Sequence, residues 1–336
     1  MPDAAEIAAA RPGASQLTVI RDGVVDIDAA FRGGKDGLFM SFSAFKPMIS
    51  VLIHQLAERG RLDLDTPVAW VWPEFSARGK HAVTVRHVLQ HRSGLDVAPA
   101  ELAAVANPRA AVRVVERLPL RRPPGARPHY EVLSYGVILA EICRRVTGRG
   151  LGELLDARVL APLGLSGQAF LGLPAAVDDR GVRLTGSGVP WRQIAAVARS
   201  ARIRRAQIAS GGLWCSSRVL ATFYDALGRT WAGERVLPDL SPERVRDMAS
   251  LTFDGVDGGT GLHTRWANGV QLGGTAGTFF GSTPGSRTFG HNGSNIAIGW
   301  HDPQRRVSFS LMTSHIWPPR RAVRHFRDVA DAALAG

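Results

Sequence analysis

The sequence predicts an α/β (α+β) fold in which an antiparallel sheet is flanked by helices and an all-helical domain is inserted between the sheet's two halves. Three observations carry this expectation: strand-like runs lie near both ends of the 336-residue chain, the stretch between them has helical periodicity, and a helix closes the chain. The division expected is a discontinuous α/β domain over 1–75 and 200–336, with a helical domain over 76–199.

The elements follow in order. "QLTVIRDGVVDIDAAF" is two β-branched runs joined at Asp22-Gly23, a hairpin signal because glycine tolerates the positive φ of a tight turn. A helix comes next. Phe45, Met48, Ile49, Leu52, Ile53 and Leu56 recur at i, i+3, i+4 spacing, and the run ends near Gly60. Its other face carries Ser43, Lys46, Ser50 and His54. From Val83 to about Leu160 the chain reads as helices and loops: "TVRHVLQHRSGL", "AAVRVVERL", "SYGVILAEICRRVTG" and "LGELLDARVLAPLGL", broken by "RRPPGARP". The Gly-rich "ASGGLW" then precedes the helix "SRVLATFYDALG". "RTFGH", "NIAIGWHD" and "RVSFSLMTS" are strand candidates, the last two joined at Asp302-Pro303, and a final helix begins near Pro319.

Composition narrows the function. Hydrophobic residues make up 45% of the chain, enough to offset chain entropy, so a disordered or fibrous class is excluded. No run of 18 apolar residues suggests a membrane span, and the acidic start "MPDAAEIAAARPG" does not read as an export signal, so the cytoplasm is the expected location. Two cysteines, Cys143 and Cys215, do not suggest a disulfide framework or a metal site. The net charge of +12 comes from arginines scattered along the chain without interleaved stacking aromatics, which disfavours nucleic acid as a partner. No cofactor or metal is expected, and the oligomeric state is left open.

The chemistry is expected at "SFSAFKPM". A serine hydroxyl becomes a nucleophile only when a base takes its proton and donors stabilise the oxyanion that forms. Spacing i, i+3 on a helix puts Lys46 one turn from Ser43, on the same side. With 21 serines and three lysines, chance placement gives roughly 0.2 S-x-x-K matches in the chain. A polar helix start with a solvent-facing lysine is the plainer reading of that pair alone. No G-x-S-x-G elbow, H-E-x-x-H or P-loop offers another route.

The succession of S-x-x-K, "HYEVLSYGVILAEI" and "FGHNGSN" resembles the serine β-lactamase and penicillin-binding-protein superfamily, in particular its class C β-lactamase, esterase and D-aminopeptidase branch. "VRHVLQHRSGL", "ASGGLWCSS" and "RWANGVQLG" resemble it too, so the likeness runs from about Val19 to Thr313. It implies an active site in the cleft between the two domains, with Ser43 as acylated nucleophile and Lys46 and Tyr130 jointly handling its proton. His291-Asn292-Gly293 matches the family's K-T-G strand, and the backbone N–H of Ser294, with that of Ser43, would form the oxyanion hole.

Two departures shape the expected substrate. Val132 stands where the family's Y-x-N motif has asparagine, and His291 stands where K-T-G has lysine. Both remove polar anchors for lactams or peptides and point toward esters or other small-molecule acyl substrates. The leading expectation is a serine hydrolase acting on a small-molecule ester or amide through an acyl-enzyme on Ser43. Acyl transfer from the same intermediate, a β-lactamase or D-amino-acid peptidase, and a non-catalytic binding protein are the alternatives. An acidic acyl-carrier protein would suit the basic surface as a partner.

Overall fold

The computed structural model of the protein describes residues 3–96, 106–275 and 278–335. Among these residues an eight-stranded antiparallel sheet forms the centre. Its strands are β1 (Ser15–Arg21), β2 (Val24–Phe31), β3 (Phe253–Val256), β4 (His263–Trp266), β5 (Gln271–Leu272), β6 (Phe289–Gly293), β7 (Ala297–Asp302) and β8 (Val307–Thr313). They lie in the order β2-β1-β8-β7-β6-β5-β4-β3. The two ends of the chain therefore meet in the pair β1 and β8, with Ser15 opposite Thr313 and Arg21 opposite Val307. Asp22 and Gly23 at the first hairpin have φ of 52° and 78°, the left-handed pair that a two-residue turn between right-twisted strands requires.

Five helices frame the sheet and the site: α1 (Ala4–Ala9), α2 (Lys46–Glu58), α3 (Ser134–Thr147), α4 (Ser217–Trp231) and α5 (Pro319–Ala335). Side chains alternate across the strands. Leu17, Val19, Phe309 and Leu311 pack with Trp300 beneath Phe326 and Val329 of α5. The alternate positions face α4, and several are polar or small. Thr18 meets Ser217 at 2.7 Å between hydroxyls, and Ser308 donates to Asp225 at 3.3 Å. Gly299 admits the Tyr224 ring, where a Cβ would lie 2.3 Å from a ring carbon.

The expected helices between Val83 and Leu160 are present as Val85–Leu89, Pro108–Arg117, α3 and Leu151–Leu155, the last continuing into a π-helical turn, Asp156–Leu160. The largest core cluster links Met48 and Leu52 of α2, Ile138 and Ile142 of α3, and Phe223 and Leu227 of α4. Two small sheets stitch the middle of the chain to its ends: Phe39–Met40 with Leu213–Cys215 and Phe170–Leu171, and His315–Ile316 with Thr185–Gly186. Among the described residues no helix is long and apolar enough to cross a membrane.

Two features depart from the sequence reading. Strands β3, β4 and β5 were not expected, because they are two to four residues long and contain Asp, Gly, His, Arg and Gln, so no apolar run marks them. The second is α2 itself. It is buried on both faces from Lys46 to Leu56, so its polar stripe is an internal hydrogen-bonding face and not a solvent face.

Candidate active site

The site is built on the turn that enters α2. Ser41 is tied to the carbonyl of Leu213 by its backbone N–H and by its hydroxyl, both at 2.9 Å. The chain then makes a 3-10 turn, Phe42–Phe45, and passes into α2 at Lys46, with Pro47 in the first turn where its missing N–H costs nothing. Phe42 has φ of +47°, a left-handed conformation that costs a bulky residue about 1–3 kcal/mol and that the surroundings must hold in place. Gly293 at the end of β6 does part of this. A Cβ there would lie 2.1 Å from the Ser41 carbonyl and 3.0 Å from the Ala44 nitrogen, so only glycine lets β6 approach the turn.

Ser43, Lys46 and Tyr130 come together as expected. Lys46 Nζ is 3.0 Å from Ser43 Oγ and 3.2 Å from Tyr130 Oη. It also donates to the carbonyl of Val132 at 2.9 Å and to that of Ser210 at 3.4 Å. The lysine is fully enclosed, and desolvation brings its pKa from 10.5 down to about 7 against the opposing pull of Glu131. Tyr130 is pushed the other way. Burial raises its phenol above the usual range, a hydrogen bond with Ser43 opposes the shift, and Asp257 adds to it. The resting site therefore holds a phenol, with an amine poised near neutrality.

Three residues that the sequence did not single out hold Tyr130. Its ring stacks on Trp266 with centroids 5.6 Å apart and planes 5° from parallel, and His91 meets it edge-on at 4.9 Å. The enclosed carboxylate of Asp257 accepts from the Tyr130 backbone N–H at 3.2 Å and from Trp266 Nε1 at 3.0 Å. It also accepts from the N–H groups of Gly259 and Thr260, which fixes its own position. Asp257-Gly258 reads locally only as a turn, and Trp266 was visible only as part of "RWANGVQLG". Glu131, next to Tyr130, is buried and accepts from the Ser93 backbone N–H at 2.9 Å, the Ser93 hydroxyl at 2.7 Å and the Ser134 hydroxyl at 3.1 Å.

The remaining expected residues are distributed less evenly. His291 lies beside Tyr130 and Trp266, at 5.8 and 5.9 Å between ring centroids. Burial first, then the charge of Lys46, lowers its pKa to about 3, so the ring is neutral at physiological pH. Its Nδ1 pairs with the Asn292 carbonyl at 2.7 Å and so carries the proton, which leaves Nε2 as an enclosed acceptor without a donor. A neutral acceptor has no attraction for a substrate carboxylate. Asn292 is partly exposed and Ser294 exposed at φ +43°. Among the described residues no side-chain hydrogen bond joins either to Ser43, Lys46 or Tyr130. The Val132 side chain is 58% exposed, while its carbonyl faces the lysine.

Known proteins share this architecture. LipL of Mycobacterium tuberculosis, an esterase/β-lactamase, is 28% identical over 371 residues, spanning 92% of this chain and 79% of LipL. A penicillin-binding protein homologue from Caulobacter crescentus superposes with a TM-score of 0.80 at 26% identity, covering 96% of this chain and 92% of that one. EstA from Arthrobacter nitroguajacolicus Rue61a has the same fold, with a TM-score of 0.81 at 24% identity and the same coverage. The model of the Beta-lactamase family matches residues 4–334, and the chain belongs to that family.

Proposed function

We propose that the protein hydrolyses a small-molecule ester through an acyl-enzyme on Ser43. The observation that carries this reading is the environment of Lys46 Nζ. Two of its four oxygen neighbours, the carbonyls of Val132 and Ser210, can only accept. A neutral amine has two N–H bonds and one lone pair. With both N–H bonds directed to the carbonyls, the lone pair is left for the hydroxyls of Ser43 and Tyr130.

In the proposed reaction Ser43 Oγ attacks the ester carbonyl carbon as its proton passes to Lys46. Charge then gathers on the carbonyl oxygen, which the backbone N–H groups of Ser43 and Ser294 would stabilise. The alcohol leaves with a proton delivered through the Tyr130 hydroxyl, and water repeats the sequence to release the acid. Tyr130 lies in the stretch read as the inserted helical domain and Ser43 in the terminal α/β part, so the cleft between the two would be the substrate channel. The ester preference is supported by Val132, which offers no amide to a lactam or peptide, and by the neutral His291, which offers no cation to a carboxylate.

The experiment is labelling with a fluorophosphonate probe beside turnover of p-nitrophenyl esters. A modified peptide containing Ser43, with labelling and turnover both lost in Ser43→Ala, is the expected result. A folded protein that neither labels nor turns over would make it a binding member of the family.

A further inference from the structure

A cavity of about 220 Å³ opens at the opposite end of α2 from Ser43. From Lys46 to Gln55 the helix rises about 14 Å, which sets the two places well apart. Arg59, Arg61, Arg149 and Arg158 line it, over an apolar floor that includes Leu52 and Cys143. Two carboxylates answer these four cations. Asp239 pairs with Arg59 at 3.3 Å and also with Arg158, and Glu153 pairs with Arg149 at 3.2 Å. Arg61 donates to the carbonyl of Val146 at 3.0 Å. Four cations against two carboxylates leave the cluster with a net charge of +2, and Arg61 has no ion-pair partner among the described residues.

The local backbone is unusual where the charges converge. Arg158 sits in the π-helical turn Asp156–Leu160, a conformation rare in proteins and frequent at functional sites. Gln55 of α2 pins that turn by donating to the Arg158 carbonyl at 3.2 Å. Asp239, the carboxylate between two of the arginines, has φ of +50°. Burial, then repulsion from Arg59 and Arg149, lowers the proton affinity of Arg158. Like charges held this close cost folding free energy that a bound anion would return. Guanidinium forks match phosphate oxygens in pairs, and a net charge of +2 matches a dianion better than a carboxylate.

We propose that this cavity binds a small phosphate monoester with a short apolar substituent, at a site separate from Ser43. The test is calorimetric titration of the full chain with ethyl phosphate at constant ionic strength, with propionate and sodium chloride in parallel. Saturable binding of ethyl phosphate, at least tenfold tighter than propionate, is expected. Arg158→Gln should weaken it at least tenfold, and Arg61→Gln, which disturbs no ion pair, should do the same in a protein whose fold is untouched. Arg229→Gln, at an exposed pair with Glu234 elsewhere, should leave it unchanged. Heats that sodium chloride reproduces, equal binding of propionate, or undiminished binding in the Arg61→Gln protein would each overturn the proposal.

Discussion

Burial drives Lys46 and Glu131 toward neutrality from opposite directions, each to a pKa of about 7, and the carboxylate raises that of the lysine. The two are separated by the Val132 segment, whose carbonyl takes a hydrogen from Lys46 Nζ at 2.9 Å. If Lys46 works as a neutral base, kcat/KM for an ester rises with pH through about 7 as the amine loses its proton. Glu131 favours the ammonium, so removing its charge lowers the lysine's pKa. Glu131→Gln should therefore move the rising limb of the pH profile to lower pH. A purely structural role for Glu131 would change the height of the profile and leave the limb in place.

Lys46→Arg separates charge from basicity. A guanidinium keeps the positive charge at every relevant pH and has no lone pair to offer Ser43. Its turnover of p-nitrophenyl esters should fall as far as that of Lys46→Ala or Tyr130→Phe, roughly 10²–10⁴-fold, the range of a lost general base or acid. A Lys46→Arg enzyme that kept wild-type turnover would show that the charge at 46 matters and its proton transfer does not.

The legible part of this site is the local part. Ser43 and Lys46 are one helical turn apart, so spacing alone brings them together, and the structure places them 3.0 Å apart. Tyr130 is 84 residues away and was found only through resemblance. Asp257, Trp266 and Glu131 gave no local signal of a role, because each acts through contacts that the sheet and helices create. Secondary structure shows the same split. β1, β2, β7 and β8 carry long apolar or alternating runs and were expected, whereas β3 to β5 owe their pairing to a neighbouring strand. The short α1 has a local signal of its own: Asp3 and Glu6 form a reciprocal capping box around its first turn.

Trp266 is expected to position Tyr130 and, through Asp257, the loop that carries it. Trp266→Phe keeps a ring to stack on Tyr130 and removes the Nε1–H that Asp257 accepts at 3.0 Å. Leaving that carboxylate oxygen enclosed and short of a donor should cost about 1–3 kcal/mol in chemical unfolding. Displacement of the phenol should lower kcat/KM about 10- to 100-fold. Because the lysine's surroundings are unaltered, the limb of the pH profile near 7 should stay where it is. A shift of that limb would mean that Trp266 acts on Lys46 and not on Tyr130.

Val132→Asn tests the ester preference at the position where the family pattern is broken. The side chain is 58% exposed, so the change should alter stability by no more than about 0.5 kcal/mol. The backbone carbonyl that Lys46 uses is retained, so ester turnover should persist. A restored amide adds one hydrogen bond to a lactam, about 0.5–1.5 kcal/mol, and nitrocefin turnover relative to ester turnover should rise up to about tenfold. His291→Lys should not help in the same way. It would place a second cation in an enclosed site beside Lys46, where each charge opposes the other and both lose affinity for protons. A nitrocefin-to-ester ratio that stays constant in the Val132→Asn enzyme would remove Val132 as the reason for preferring esters and leave the neutral His291 to account for it.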